Sequence, residues 1–286
     1  MFNTDHSGPV VVGIDGSKAA LFAAESAIDE AISRDVPLSL VHVTRPLVTT
    51  KSPAAEGRHD ERFAESSLRA AAAAIEAIGK PVKVDTILIR GLPAEALVFE
   101  SRSASLVCIG AGRFAHAALG STATRLAERA HCPVLIARAP MSDQPTELSV
   151  LENAADGSSW NASRQNWIAV CVNGSKDNRN VVDHAIREAR LRQLPVLAIS
   201  TSPLELGEGR SHELEHRVAS LHEQYGDVHI YPVTTRARIA RFIARCHEPI
   251  ALAVIGASEA RQAVRLCRSS REQCCSVLVV RPQCGL

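Results

Sequence analysis

Short apolar runs alternate along the chain with longer stretches in which apolar residues recur every three or four positions. In the first half the runs are VVVGID (10–15), LSLVHV (38–43), VDTILI (84–89), LVCIG (106–110) and VLIAR (134–138). Most are apolar at successive positions rather than at every second one, the pattern of parallel strands covered on both faces. Between them, Leu21, Ala24, Ile28, Ala31 and Ile32 form a stripe at helical spacing. The alanine-rich segment 58–79 predicts a second helix that stops at Gly79, just before Lys80-Pro81. Pro93 follows the Gly91-Leu92 turn and marks the start of a third helix, where a proline sacrifices no hydrogen bond. Residues 123–129 supply a fourth. Five strands alternating with four helices imply an open, doubly wound α/β sheet with right-handed crossovers.

The pattern then repeats. Residues 10–37 and 168–195 align at a constant offset of 158, which pairs Gly16-Ser17-Lys18 with Gly174-Ser175-Lys176, Ala31 with Ala189 and Pro37 with Pro195. Further on the offset is 146, pairing Arg90 with Arg236 and IGA at 109–111 with IGA at 255–257. Near the end it is 143, pairing VLIAR (134–138) with VLVVR (277–281). Strands of the second copy are expected near 167–172, 196–200, 228–233, 251–256 and 277–281. The organisation predicted is two tandem flavodoxin-like, Rossmann-like domains, residues 1–140 and 166–286. Each has a five-stranded parallel sheet with helices on both faces, and the polar stretch 141–165 is the linker. Each copy closes on an apolar strand, and a long exposed edge invites pairing. The two closing strands are therefore expected to pack together, and the same edges are the expected route of self-association.

Of the 286 residues, 46% are hydrophobic and 22% charged, enough apolar material for two cores. The 32 basic and 31 acidic side chains leave a net charge of +1, without the basic excess of a nucleic-acid binder. No apolar run approaches the roughly 18 residues of a membrane helix. The N-terminus, MFNTDHSGPVVVGID, lacks the basic-then-apolar pattern of a secretory signal. The eight cysteines include no C-x-x-C pair, which disfavours zinc knuckles and thioredoxin-like chemistry. Cys108, Cys132 and Cys171 fall in or beside apolar runs, as buried reduced thiols do. A cytoplasmic protein with no nucleic-acid or membrane partner is expected.

In open α/β sheets, ligands bind beyond the carboxyl ends of the strands, where strand order reverses. The first strand ends in Gly13-Ile14-Asp15-Gly16-Ser17. An acid there can bond a ribose hydroxyl, yet the same residues also make an ordinary strand-to-helix turn with a serine cap. The fourth strand ends in Gly110-Ala111-Gly112-Arg113, and Gly120-Ser121-Thr122 opens the next helix. Backbone N–H groups and two hydroxyls at a helix start can hold an anion; they can equally serve only as a cap. The second copy departs from this pattern. Asn173 replaces Asp15, the fourth-strand loop reads Gly256-Ala257-Ser258-Glu259-Ala260-Arg261, and Ala263-Val264 stand opposite Gly120-Ser121. Phosphate would meet a carboxylate and no hydroxyl there, so this copy is expected to keep the fold without the site.

VVVGIDGS, SLVHV, RGLPAEAL (90–97), IGAGRFAHAALGS and RAHCPVLIAR (129–138) together resemble the universal stress protein family in its tandem, actinobacterial form. The resemblance covers nearly the whole chain. The ATP-binding branch of that family carries Gly-x2-Gly-x9-Gly-Ser/Thr after the fourth strand. Here Gly110 to Ser121 supplies the Gly-x9-Gly-Ser part, and Val107 stands where the first glycine belongs, which shortens the loop. The resemblance implies HUP-type domains, an adenine nucleotide (ATP, with Mg accompanying it) and a stress-response regulator without dedicated catalysis, in which any ATP hydrolysis is slow and incidental. Residue by residue, it implies Gly13 and Asp15 beside ribose and base, and Val43, after His42, offering backbone contacts to adenine. It implies Gly110 and Gly112 letting the chain approach the phosphates and Gly120, Ser121 and Thr122 holding them; Arg113 is a candidate charge partner that the motif itself does not specify. The other reading is a nucleotide-free interaction module with unknown protein partners.

Residues 212–216 read His-Glu-Leu-Glu-His, a literal H-E-x-x-H, with His222 where an extended metalloprotease pattern wants a third ligand. The glycine of that pattern is Ala219, and the only methionines, Met1 and Met141, lie upstream. Leu214, Val218, Leu221 and Tyr225 form a core stripe roughly 200° round the helix, which turns the two histidines of 212–216 to solvent. No metal site is expected there. A P-loop and a G-x-S-x-G elbow are missing from the sequence, and no catalytic residue is assigned.

Overall fold

The computed structural model describes residues 8–45, 53–111, 120–139, 166–172, 176–201, 216, 218–246, 248–266 and 275–281. The expected linker, 141–165, lies outside them. The first half contributes β1 (Val10–Gly13), β2 (Leu38–Thr44), β3 (Val84–Arg90), β4 (Leu106–Gly110) and β5 (Val134–Ala137). The second contributes β6 (Trp167–Cys171), β7 (Val196–Thr201), β8 (Ile230–Thr235), β9 (Ile250–Gly256) and β10 (Ser276–Val280). All ten join one sheet in the order β3-β2-β1-β4-β5-β10-β9-β6-β7-β8. Pairing is parallel within each half. Strand order reverses between β1 and β4, and again between β6 and β9. β8 forms two residues later than the sequence pattern suggests and includes Pro232, which an edge strand tolerates.

The helices are α1 (Lys18–Arg34), α2 (Pro53–Ile78), α3 (Pro93–Glu100), α4 (Ser121–Arg129), α5 (Lys176–Arg192), α6 (218–224), α7 (Ile239–Ile243) and α8 (Ala260–Leu266). Strand residues alternate between two cores. Val10, Val12 and Leu40 pack under α1, α2, α5 and α6. Val11, Val41 and Ile109 pack under α3, α4, α7 and α8. Among the described residues no helix is long and apolar enough to cross a membrane.

Helix α1 shows how small residues set the packing. Its buried face is Ala20, Ala23, Ala24, Ala27, Ile28 and Ala31, whereas Ile32 is 37% exposed. The expected stripe is therefore rotated. Alanines let the helix axis approach the sheet, Leu21 packs at the margin of the core and Ile32 is turned to the surface. The approach is closest at Gly110, where an added Cβ would lie 2.7 Å from Ala20 N and nearer still to the Ala19 carbonyl. Ser17 caps the helix start, its Oγ accepting the Ala20 N–H at 3.1 Å. Asp35 ends the helix in a left-handed conformation, φ 54°, and its repeat counterpart Gln193 does the same after α5, φ 53°.

The two halves meet through β5 and β10, which pair antiparallel with Leu135 opposite Leu278. The closing strands thus cover each other within one chain, as expected. Arg281 reinforces the seam by donating to the carbonyls of Leu126 and Ala127 at the end of α4. On the opposite face α1 meets α5 through four charged side chains. Glu30 and Glu188, each 1% exposed, occupy corresponding positions of the repeat, as do Arg34 and Arg192. Arg34 pairs with Glu30, and Arg192 bridges Glu30 at 3.1 Å and Glu188 at 3.0 Å. Burial and the charge of Glu30 push Glu188 up to about 8. Burial opposes the charge on Glu30 too, but Arg34 and Arg192 outweigh it and hold that carboxyl below its ordinary range. Glu188 therefore favours its protonated form beside an ionised Glu30.

Candidate functional site

The carboxyl edge of the first half-sheet is built where β1 and β4 lie side by side. After Gly13, Asp15 and Gly16 carry the chain over that edge into α1. Gly16 has φ +82°, and a Cβ there would lie 2.9 Å from both Phe63 Cζ and Ser67 Oγ of α2, so the turn requires glycine. Asp15 is exposed, and its Oδ1 accepts the Ser17 N–H at 3.0 Å. The turn-and-cap role of D-G-S is thus realised, with the carboxylate still at the surface. Gly13 is hemmed by core side chains: its Cβ would stand 3.1 Å from Leu97 Cδ1 and 3.3 Å from Ile109 Cγ2. Val43, half-buried, lies next to the carboxyl end of β2.

Gly110 is surrounded differently from what the family resemblance implies. The close approach its missing side chain permits is taken by the first turn of α1. Only the backbone of Gly110 remains to face a ligand. Gly112 and Arg113 lie outside the described residues. Gly120 is the exposed N-cap of α4, φ −53° and ψ 150°, with no side chain capping the helix and nothing within 4 Å of where its Cβ would be. The helix begins at Ser121, two residues earlier than its apolar pattern indicates, so the exposed Ser121 and half-buried Thr122 sit in its first turn. The first N–H groups of α4 receive no side-chain cap from Gly120, and none from another side chain among the described residues.

Two residues escaped the sequence reading as members of this edge. His42 on β2 is 8% exposed, and its Nδ1 is buried without a hydrogen-bond partner. Its ring meets Phe63 edge-on, with centroids 6.1 Å apart at 76°, and Phe63 is 54% exposed. Burial lowers the His42 pKa, and the nearby charge of Asp15 only partly opposes this, so the imidazole is mainly neutral at pH 7. A histidine inside the otherwise apolar SLVHV run and a lone large ring on an alanine-rich helix were the available signals.

The second half lacks the corresponding loop rather than merely its polar residues. β9 runs from Gly256 directly into a 3₁₀ turn, Ala257–Glu259, and α8 starts at Ala260. Ala263 and Val264, expected opposite Gly120 and Ser121 at a helix start, instead lie inside α8, with Ala263 fully buried. Glu259 is half-buried, its pKa raised by that burial, and it accepts from Gln262 Nε2 at 3.3 Å. Asn173 lies outside the described residues. At Gly256 an added Cβ would come no nearer than 3.4 Å to Val181 Cγ2, so α5 stands further from this strand than α1 does from β4.

Of the His-Glu-Leu-Glu-His stretch only His216 is described, and it is exposed. His222 Nε2 lies 3.0 Å from the Ile230 carbonyl, while Val218 and Tyr225 are buried. Among the described residues no group of three His, Cys, Asp or Glu side chains could hold a metal ion. Cys108, Cys132 and Cys171 are buried free thiols. Burial raises the pKa of Cys108 and pushes Cys132 up to about 12, so neither is a reactive thiolate.

Comparison with known proteins agrees with this architecture. The model of the universal stress protein family matches residues 7–138. The chain is 47% identical over 280 residues to universal stress protein Rv2624c of Mycobacterium tuberculosis (strain ATCC 25618 / H37Rv), covering 95% of this chain and 96% of that one. It is 34% identical over 281 residues to universal stress protein Rv3134c of the same strain, covering 95% of each. Among solved structures, a universal stress protein from Archaeoglobus fulgidus DSM 4304 superposes with a TM-score of 0.71 over 97% of both chains. At 15% identity that match shows the fold alone. Two relatives above 30% identity along nearly their whole length, together with the family model over residues 7–138, place the chain in the universal stress protein family.

Proposed function

We propose that the chain is an adenine-nucleotide-binding stress regulator that holds one nucleotide in its first half and has no dedicated catalysis. The observation that carries this reading is the start of α4, where Gly120 leaves the first N–H groups without a side-chain cap. Those donors need an acceptor, and phosphate oxygens beside the Ser121 and Thr122 hydroxyls would supply it. Asp15 would take the ribose hydroxyls, and the Val43 backbone would face adenine. The unpartnered Nδ1 of His42 supports a ligand at this edge, because a neutral buried nitrogen gains a hydrogen bond it otherwise lacks. The described residues offer no three-carboxylate cage. Mg would therefore be held chiefly by the phosphates of ATP and by water. We assign no catalytic base, and any hydrolysis would be incidental. Titration of ATP into the purified chain by calorimetry tests the reading, with a site that Gly120→Val abolishes as the expected result. The α1 turn filling the space at Gly110 favours a second reading, a nucleotide-free interaction module. Lack of binding at millimolar ATP would decide for it.

A further inference from the structure

The second half carries a feature that the first half lacks. Between α7 and α8 lies a groove of about 580 Å³ lined by Arg236, Arg238, Arg241 and Gln262, together with three alanines. The repeat shows what changed. At the offset of 146, Arg236 corresponds to Arg90, Arg238 to Leu92 and Arg241 to Glu95. In the first half these positions are neutralised inside the protein: Arg90 pairs with Glu61, and Glu95 pairs with Arg125 and, at 3.5 Å, Arg129. In the second half the acid has become a third arginine. All three guanidinium groups are exposed, and among the described residues none of them has an acidic partner. Gln262 adds an independent signal. Its Oε1 is buried without a hydrogen-bond partner, while its Nε2 is already given to Glu259. An orphaned carbonyl oxygen on the wall of a groove asks for a donor.

We propose that this groove binds a small phosphorylated molecule that also carries a hydroxyl or amino group. Three unpaired guanidinium forks match the oxygens of a multivalent phosphate better than any apolar ligand. The Gln262 oxygen accepts from the ligand's donor. The volume suits a metabolite-sized ligand rather than a protein domain. Glu259, the one acidic neighbour the structure shows touching a lining residue, is half-buried and tied to the Gln262 amide. The site is separate from the carboxyl-edge site of the first half, since the turn after β8, α7 and α8 build it and no first-half residue lines it.

The test uses the full chain carrying Gly120→Val, which silences the first-half site, with inorganic triphosphate and ATP as probes at low salt. Triphosphate should bind, and Arg238→Ala combined with Arg241→Ala should weaken it at least about tenfold, the loss of one charge-assisted contact or more. Gln262→Leu should weaken ATP severalfold more than it weakens triphosphate, because only ATP brings the donors. The thermal midpoint of the arginine variants should not move, since both side chains are exposed. Triphosphate binding that ignores the arginine pair would overturn the proposal. So would a mixed-sequence oligonucleotide that binds more tightly than either probe, which would make the groove a nucleic-acid surface.

Discussion

The two half-sheets share strand order, helix placement and even the left-handed residues that end α1 and α5, yet they part company one residue after their fourth strands. β4 passes through Ala111 towards an open helix start at Gly120, whereas β9 turns directly into α8. On the next face the difference reverses: Glu95 closes the first half with ion pairs, and Arg241 leaves the second half open and basic. The lesson is that the fold resides in apolar runs and small residues, which both halves keep. Chemistry resides in connections and in single charges, which each half has altered separately.

The seam is where the halves are most alike, and the largest effect is expected there. Glu30→Leu strands Arg34 and Arg192 beside a single carboxyl and should cost about 3–5 kcal/mol in denaturant unfolding. A cost under about 1 kcal/mol would mean that the buried quartet is not what joins α1 to α5. Glu188→Gln sharpens the point. Its folded pKa of about 8 stands above the roughly 4.3 of an unfolded glutamate, so the folded state keeps a proton that the unfolded state releases. Stability from this group is therefore full at low pH and falls as pH rises through that window towards 8. The glutamine variant imitates the protonated form. Unfolding curves at pH 5.5, 7 and 8.5 should show a decline in the unmodified chain and a flatter profile in the variant. An unchanged slope would assign the titration elsewhere.

The next contrast concerns ligand rather than stability. Ser121→Ala removes a hydroxyl from the first turn of α4 and should weaken ATP by about 1.5–3 kcal/mol, roughly tenfold to a hundredfold. No change would detach the helix start from the nucleotide.

Gly110→Ala drives a Cβ into the backbone of α1 and should cost about 1–3 kcal/mol, whereas Gly256→Ala, at the matching place, meets only side-chain atoms at ordinary distance and should cost less than about 1 kcal/mol. Equal costs would show that the helices sit alike on both half-sheets. The smallest effect is expected outside the comparison. His216→Ala, at an exposed position, should shift stability by no more than about 0.5 kcal/mol. Stoichiometric zinc in the unmodified chain, lost on that substitution, would restore the metal reading of 212–216.

Much of the architecture was legible in the sequence for a physical reason: buried parallel strands need continuous apolar runs, and VLIAR and VLVVR announced the edges that pair at the seam. The rotation of α1 was not, because alanine is equally at home on either face and only the approach at Gly110 reveals which one is buried. Glu30 and Glu188 could be paired by overlaying the repeats, but charged helix residues usually face solvent, so nothing in the pattern marks them as buried. His42 and Phe63 sit on different elements, and only the fold brings the rings together. The missing second loop was misread as a substitution because the offset from the closing strands sets Ala263 opposite Gly120, while the chain absorbs the shortening in a 3₁₀ turn.

The central claim is that, of the two strand-order switches, only that of the first half holds a nucleotide. Calorimetry with ATP on the chain carrying Arg238→Ala and Arg241→Ala, which removes the arginine groove, tests it most directly. One ATP per chain, lost when Gly120→Val is added, is the predicted result. Two equivalent sites, or a single site indifferent to Gly120→Val, would contradict it.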